Sequence, residues 1–343
     1  VSYLTFCLQD EMCTSTLGRP HCLGNLLILS VIRMAADDEI LNGERIEIDR
    51  SIGEAINGAI STIGELIGTG ADAVLPCTPV PSQLRFLYSD GVEVTGEHKS
   101  SGAERGAAVA RVTVDFCGQP FVSEKVLDYI RAADVIIMAP GSLYSSIIPV
   151  MQVPGIAEAV RENSGALKLL IANLWVQEGE TDKAIANPDR KFHVSDMIRA
   201  YQHNLPGGVD GLFDQILCLS MQDVPASVIQ NYAVEGKNPI YLDRELIKSR
   251  GFAPIECGFF SRAALRDRGV IQHDPEVVAQ TVKTLFLARE LFNDKEPSPR
   301  ATVPQDEAGG EPARPRLVPV PSLKFSRAND RLADISIDLD QCE

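Results

Sequence analysis

Residues 173–182, Asn173-Leu174-Trp175-Val176-Gln177-Glu178-Gly179-Glu180-Thr181-Asp182, gather amide, hydroxyl and carboxylate groups in one short stretch. Gln177, Glu180, Thr181 and Asp182 are of the types that hydrogen-bond ribose or sugar hydroxyls. They also suit a hydrated Mg²⁺, which keeps its waters and binds together with substrate phosphates. As an isolated acidic loop the same residues would only be solvated. A second stretch, Ala139-Pro140-Gly141-Ser142-Leu143-Tyr144-Ser145-Ser146, has another chemistry. Gly141 allows close backbone approach and the turn after Ser142 offers unpaired amides, a combination that suits an anion. The alternative is an ordinary strand-to-helix turn capped by Ser142. If an anion sits there, a branched side chain at Gly141 is expected to block it with little effect on the core.

Each stretch follows an apolar run. Val135–Met138 and Leu169–Ala172 are continuous β-branched and aliphatic segments of the kind buried on both faces in a parallel sheet. Ligands of open α/β sheets bind beyond the carboxyl ends of such strands, so the two polar loops mark an expected crevice. Between them a helix is expected, with Pro154 in its first turn, Ile156, Ala159 and Val160 on one face, and Gly165 past its end. Strand, loop, helix and strand make one βαβ unit with a right-handed crossover.

With 343 residues, 45% hydrophobic and 23% charged, the chain has the composition of a globular protein with a substantial core. Its 32 basic and 47 acidic groups give a net charge of −15, which excludes a nonspecific nucleic-acid backbone binder. No apolar run reaches the length of a membrane span, Leu26–Ile32 being much too short. The eight cysteines show no CxxC pair or metal-finger spacing, and Cys117 and Cys218 read as small core residues. A reduced, cytoplasmic setting follows. Phe6-Cys7-Leu8 begins too polar a segment for a signal peptide. The opening Val1, in place of Met, points to sequence upstream.

Further elements are expected around this unit. Gly24–Arg33 reads as a buried helix and Ser51–Ile67 as an amphipathic one. Ala73–Pro76, Leu84–Tyr88, Val92–Thr95 and Val109–Asp115 read as strands, with a hairpin at Ser89-Asp90-Gly91. Val122–Ala132, Val194–His203, Val224–Tyr232, Arg244–Ser249 and Pro275–Phe292 read as helices and Gln215–Leu219 as a buried strand. Lys295–Pro319 has little to bury and is expected to be disordered. His21, at a helix start, suits a phosphate contact, proton transfer or simple capping. Asp274-Pro275 reads as a helix cap with its first-turn proline, and His273 as structural with it. Tyr241 and Trp175 are able to stack on a base or to fill core.

At the two opening stretches the chain resembles the CofD-like superfamily, and more closely its YvcK branch. Ala139-Pro140-Gly141-Ser142-Leu143-Tyr144-Ser145-Ser146-Ile147-Ile148-Pro149 is similar to the branch's Gly-Pro-Gly-Ser-Leu-Tyr-Thr-Ser-Ile-Ile-Pro. Asn173, Gln177, Gly179, Glu180, Thr181 and Asp182 match its Asn-x-x-Thr-Gln-Pro-Gly-Glu-Thr-Asp, with Val176 and Glu178 in place of Thr and Pro. His21-Cys22-Leu23-Gly24-Asn25 resembles a His-x-x-Gly-Asn helix start, and Gln272-His273-Asp274 stands where the branch usually has Arg-His-Asp. Leu75-Pro76-Cys77-Thr78, with Asp90-Gly91 and Gly96-Glu97, resembles the segment before the crevice.

The resemblance implies an α/β fold with a three-layer, doubly wound (Rossmann-like), mostly parallel sheet. A β-hairpin insertion lies around residues 76–115, the α/β domain covers 1–294, and residues 295–343 form a flexible tail. It implies a ligand set of His21, Gly24, Asn25, Gly141, Ser142, Asn173, Gln177, Gly179, Glu180, Thr181 and Asp182. The ligand is a nucleotide-linked metabolite, a UDP-sugar first, bound in a regulatory role in carbon metabolism and cell-wall supply, with Mg²⁺ as a possible companion and a homodimer as the possible assembly. Neither nucleic acid nor membrane is implied. The enzymatic alternative is CofD-like transfer of a phospholactyl-type group from a guanylylated donor to a deazaflavin; a scaffold without ligand is the third. Members usually open with a Gly-Gly-Gly-Thr-Gly phosphate loop and a later Asp-Asp-Gly-Gly turn, and neither run occurs in this chain.

Overall fold

The computed structural model describes residues 23–35, 50–70, 72–96, 107–177, 179–181, 191–234 and 238–289. Its centre is a parallel sheet of β4 (Val135–Met138), β5 (Leu167–Ile171), β6 (Gln215–Leu219) and β7 (Ala253–Cys257), hydrogen-bonded in that order. Before it come helices α1 (Leu23–Ala35) and α2 (Arg50–Ile67), then an antiparallel sheet of β1 (Ser82–Tyr88), β2 (Glu93–Thr95) and β3 (Val109–Phe116), in the order β2-β1-β3. Helix α3 (Glu124–Ala132) leads into β4, and α4 (Ile148–Gln152) with α5 (Ile156–Glu162) joins β4 to β5. The remaining helices are α6 (Val194–Asn204), α7 (Ala226–Val234), α8 (Arg244–Ser249), α9 (Arg262–Arg268) and α10 (Pro275–Ala288).

The parallel sheet is the middle of three layers because successive strand residues point to opposite faces. Leu170, Ile216 and Cys218 enter one apolar core with Ile156 and Val160 of α5, Met197 and Tyr201 of α6 and Ile247 of α8. Leu169, Ile171, Leu217 and Leu219 enter a second core with Leu285 of α10, backed by Val228 of α7 and Leu265 of α9. All five residues of β5 are buried, even Lys168, whose ammonium donates to the carbonyls of Arg161 at 3.2 Å and Gly211 at 2.9 Å. The antiparallel sheet joins the first core through Phe86, Tyr88, Val109 and Val112. It is also tied there by polar groups. The Val112 amide donates to Asn204 Oδ1 at 2.8 Å, and Gln152 Nε2 donates to the carbonyls of Val112 and Asn204, each at 2.8 Å.

Several expectations need correction. Val135–Met138 is not buried on both faces: β4 is the last strand of the described sheet, and Ile137 is 39% exposed. Pro154 lies before a helix rather than in its first turn, since α5 starts at Ile156 after Gly155, whose φ of +98° suits glycine. Ser142 starts a π-helical turn, Leu143–Ile147, without a side-chain capping bond, because the chain closes it by Ile147 N donating to Ser142 O at 3.1 Å. Ala73–Pro76 forms turns and irregular chain, and Val74 there is exposed. The α1 segment is helical but only partly covered, with Ser30 and Val31 buried and Ile28 and Met34 exposed. Cys117 is exposed just past β3, whereas Cys218 is buried, which pushes its thiol far up. His21, Asp182 and the segment 295–343 lie outside the described residues.

Candidate functional site

Register sets the site. Met138 pairs with Leu170 and Ile171 with Leu217, so β4 and β5 release their loops side by side at one edge of the sheet. Two hydrogen bonds then join those loops in opposite senses. Asn173 Nδ2 donates to Gly141 O at 2.7 Å, and the Tyr144 amide donates to Glu180 Oε2 at 3.0 Å. The second loop is also closed on itself. The amides of Glu180 and Thr181 donate to Gln177 O at 3.1 and 2.8 Å, and the Gln177 amide donates to Thr181 Oγ1 at 2.7 Å. Gly179 permits this closure with a φ of +78°.

These bonds divide the expected ligand set. Asn173, Glu180 and Thr181 spend bonding capacity on the fold, and Glu180 and Thr181 are only 5% and 2% exposed. Gly141, Ser142, Gln177 and Gly179, in the same two loops, keep partial exposure. Gly24 and Asn25 lie in the first turn of α1, with Gly24 exposed. A Cβ on Gly141 would sit 3.1 Å from Ile147 Cδ1, so a branched residue there presses on its own turn as well as on any ligand.

The second loop is braced from two further directions. The Val176 amide donates to Asn238 O at 2.9 Å, the Ile240 amide to Leu174 O at 3.1 Å and the Val194 amide to Tyr241 O at 3.0 Å, which stitches the loop to 238–241 and on to the start of α6. Trp175 is committed to packing: its ring stacks on Tyr232 at 4.1 Å and its Nε1 donates to Ile271 O at 3.2 Å. Tyr241 is partly exposed, with Lys191 Nζ 5.2 Å above its ring and the His193 ring 6.0 Å away. The sequence offered no pattern that singled out Lys191 or His193, which reach this position only through the short ladder. His273 braces the end of β5, with Nε2 3.3 Å from Ala172 O and its ring stacked on Phe259 at 5.4 Å. Asp274 caps α10 as expected, accepting from the amides of Glu276 and Val277.

Burial, then the charges of Glu180 and Asp196, push the Tyr144 phenol far above its usual range, so it stays a neutral donor. Asp196 is itself buried and accepts from the His193 amide at 2.9 Å. Among the described residues no group of three or more His, Cys, Asp or Glu side chains is placed to hold a metal ion.

The family model described as 2-phospho-L-lactate transferase CofD matches residues 42–259, more than half of the chain. A gluconeogenesis factor from Halalkalibacterium halodurans is 30% identical over 262 residues, covering 76% of this chain and 69% of that protein. One from Bacillus subtilis is 27% identical over 266 residues, covering 78% and 72%. A putative gluconeogenesis factor from Deinococcus radiodurans is 31% identical over 216 residues, 62% of this chain but only 41% of that longer protein. Among solved structures, a UPF0052-family protein from Bacillus halodurans superposes with a TM-score of 0.60 at 26% identity, covering 81% of this chain and 77% of that one.

Proposed function

The chain belongs to the CofD family, and from that membership we propose that it binds a nucleotide-linked metabolite, a UDP-sugar first, as a regulator in carbon metabolism and cell-wall supply. The observation that carries this reading is the pairing of two polar loops at the carboxyl ends of adjacent parallel strands, fixed to each other by the Asn173–Gly141 and Tyr144–Glu180 bonds. The diphosphate lies against the Gly141–Ser142 backbone. Gln177 and Gly179, at the rim of the second loop, meet the sugar or ribose, and Tyr241 with Lys191 supplies an aromatic face and a cation beside it. The relatives named gluconeogenesis factor support the regulatory role. The family description as a phospholactate transferase supports the enzymatic alternative.

Calorimetric titration of the chain with UDP-glucose, UDP-N-acetylglucosamine and a guanylylated phospholactyl-type donor separates the two. Binding of a UDP-sugar that weakens about tenfold or more in Gln177→Ala supports the regulator; each tenfold is about 1.4 kcal/mol. Binding of the guanylylated donor alone would favour transfer. Absence of binding to any of the three would contradict the site.

A further inference from the structure

Glu180 matches the ligand motif by type, yet its carboxylate is engaged with the neighbouring loop. It is 5% exposed, and Oε2 accepts from the Tyr144 amide of the neighbouring loop at 3.0 Å. An ionised carboxylate on a backbone amide is a charge-assisted bond, stronger than a neutral one. Its charge is felt by the buried Tyr144 phenol, whose titration moves up partly on its account. Among the described residues, the turn that carries Glu180 is closed by two amide bonds to Gln177 O, the Thr181 hydroxyl and the positive φ of Gly179. A buried anion thus lies against the loop whose Gly141 and Ser142 begin the same turn of chain.

We propose that Glu180 is a latch: its carboxylate holds the second loop against the first, and the anionic group of an incoming ligand competes with it for that place. The proposal rests on the diphosphate placement above. Two negative groups cannot share one desolvated position without cost. Ligand entry therefore displaces Glu180 and loosens residues 179–181. Glu180 is on this account a specificity and positioning residue rather than a contact to sugar hydroxyls, and its displacement gives a regulator a change of shape on binding.

Glu180→Gln keeps the shape and an acceptor for the Tyr144 amide while removing the charge. Titration of wild type and Glu180→Gln with UDP-N-acetylglucosamine, with a thermal melt of each to establish folding, reads the competition directly. The latch predicts that the variant binds about tenfold tighter although it is no more stable, a gain that a merely structural role does not produce. Equal or weaker binding by the folded variant, with wild-type binding intact, overturns the latch and leaves the ligand assignment standing. Absence of binding to both proteins overturns the two together. Should the variant not fold, hydrogen exchange at the Glu180 and Thr181 amides of the wild type decides: exchange at least threefold faster with ligand supports release, and slower or unchanged exchange overturns it.

Discussion

Trp175 serves two partners, the Tyr232 ring and the Ile271 carbonyl, and it is the only tryptophan of the chain. Trp175→Phe keeps the stacking face but strands a carbonyl, so a loss of about 0.5–1.5 kcal/mol is expected in denaturant unfolding. The wild-type fluorescence should report the second loop when ligand is added. His273 makes a pH prediction. Burial holds its imidazole below the ordinary value of 6.5, against a smaller opposing effect of the Ala172 carbonyl. The unfolded chain therefore binds the proton first as pH falls. The stabilising contribution is fully present above about pH 6.5 and is lost as pH falls through the lowered native value. Melting temperatures of wild type and His273→Gln should converge below that pH; a constant difference down to pH 5 would contradict it. Residue type was legible where the partner is local: Asp274 caps its own helix two and three residues on. It was not legible for Glu180, because its partner Tyr144 lies on the neighbouring loop and only the sheet register brings them together.

Elements were legible in proportion to their patterning. Gln215–Leu219, the hairpin at Ser89–Gly91 and the helix Val194–Asn204 follow from apolar runs and turn residues in sequence. Strand β7 escaped notice because Ala253-Pro254-Ile255-Glu256-Cys257 mixes a proline and a charge into a strand that β6 nevertheless pairs along its length. The β4–β5 crossover was expected as one helix from Pro154. It is a π-helical turn and two short helices, divided where Gly155 takes a left-handed conformation. Gly155→Ala should cost about 1–2 kcal/mol for placing an L-residue there, read as a lower denaturant midpoint at unchanged slope. A larger change at the buried amine of β5 is also expected. Lys168→Met leaves the Arg161 and Gly211 carbonyls short of a donor and should lose about 1–3 kcal/mol, and an unchanged midpoint would show that neither bond contributes.

At the scale of the molecule, one parallel sheet separates two apolar cores and delivers both polar loops to one edge. The antiparallel sheet is pinned to the first core through Asn204 and Gln152 and leaves that edge to the loops. The α/β class was readable from alternating apolar runs and helices, and the adjacency of the two polar loops from where those runs end. The split of the motif into inward-facing ties and an outward-facing rim was not, since sequence spacing is the same for both. A crystal structure of the chain with a UDP-sugar should show the diphosphate against the backbone of Gly141 and Ser142 with Gln177 on the sugar or ribose. Ligand density on the β1–β3 sheet, or elsewhere away from the ends of β4 and β5, would contradict it.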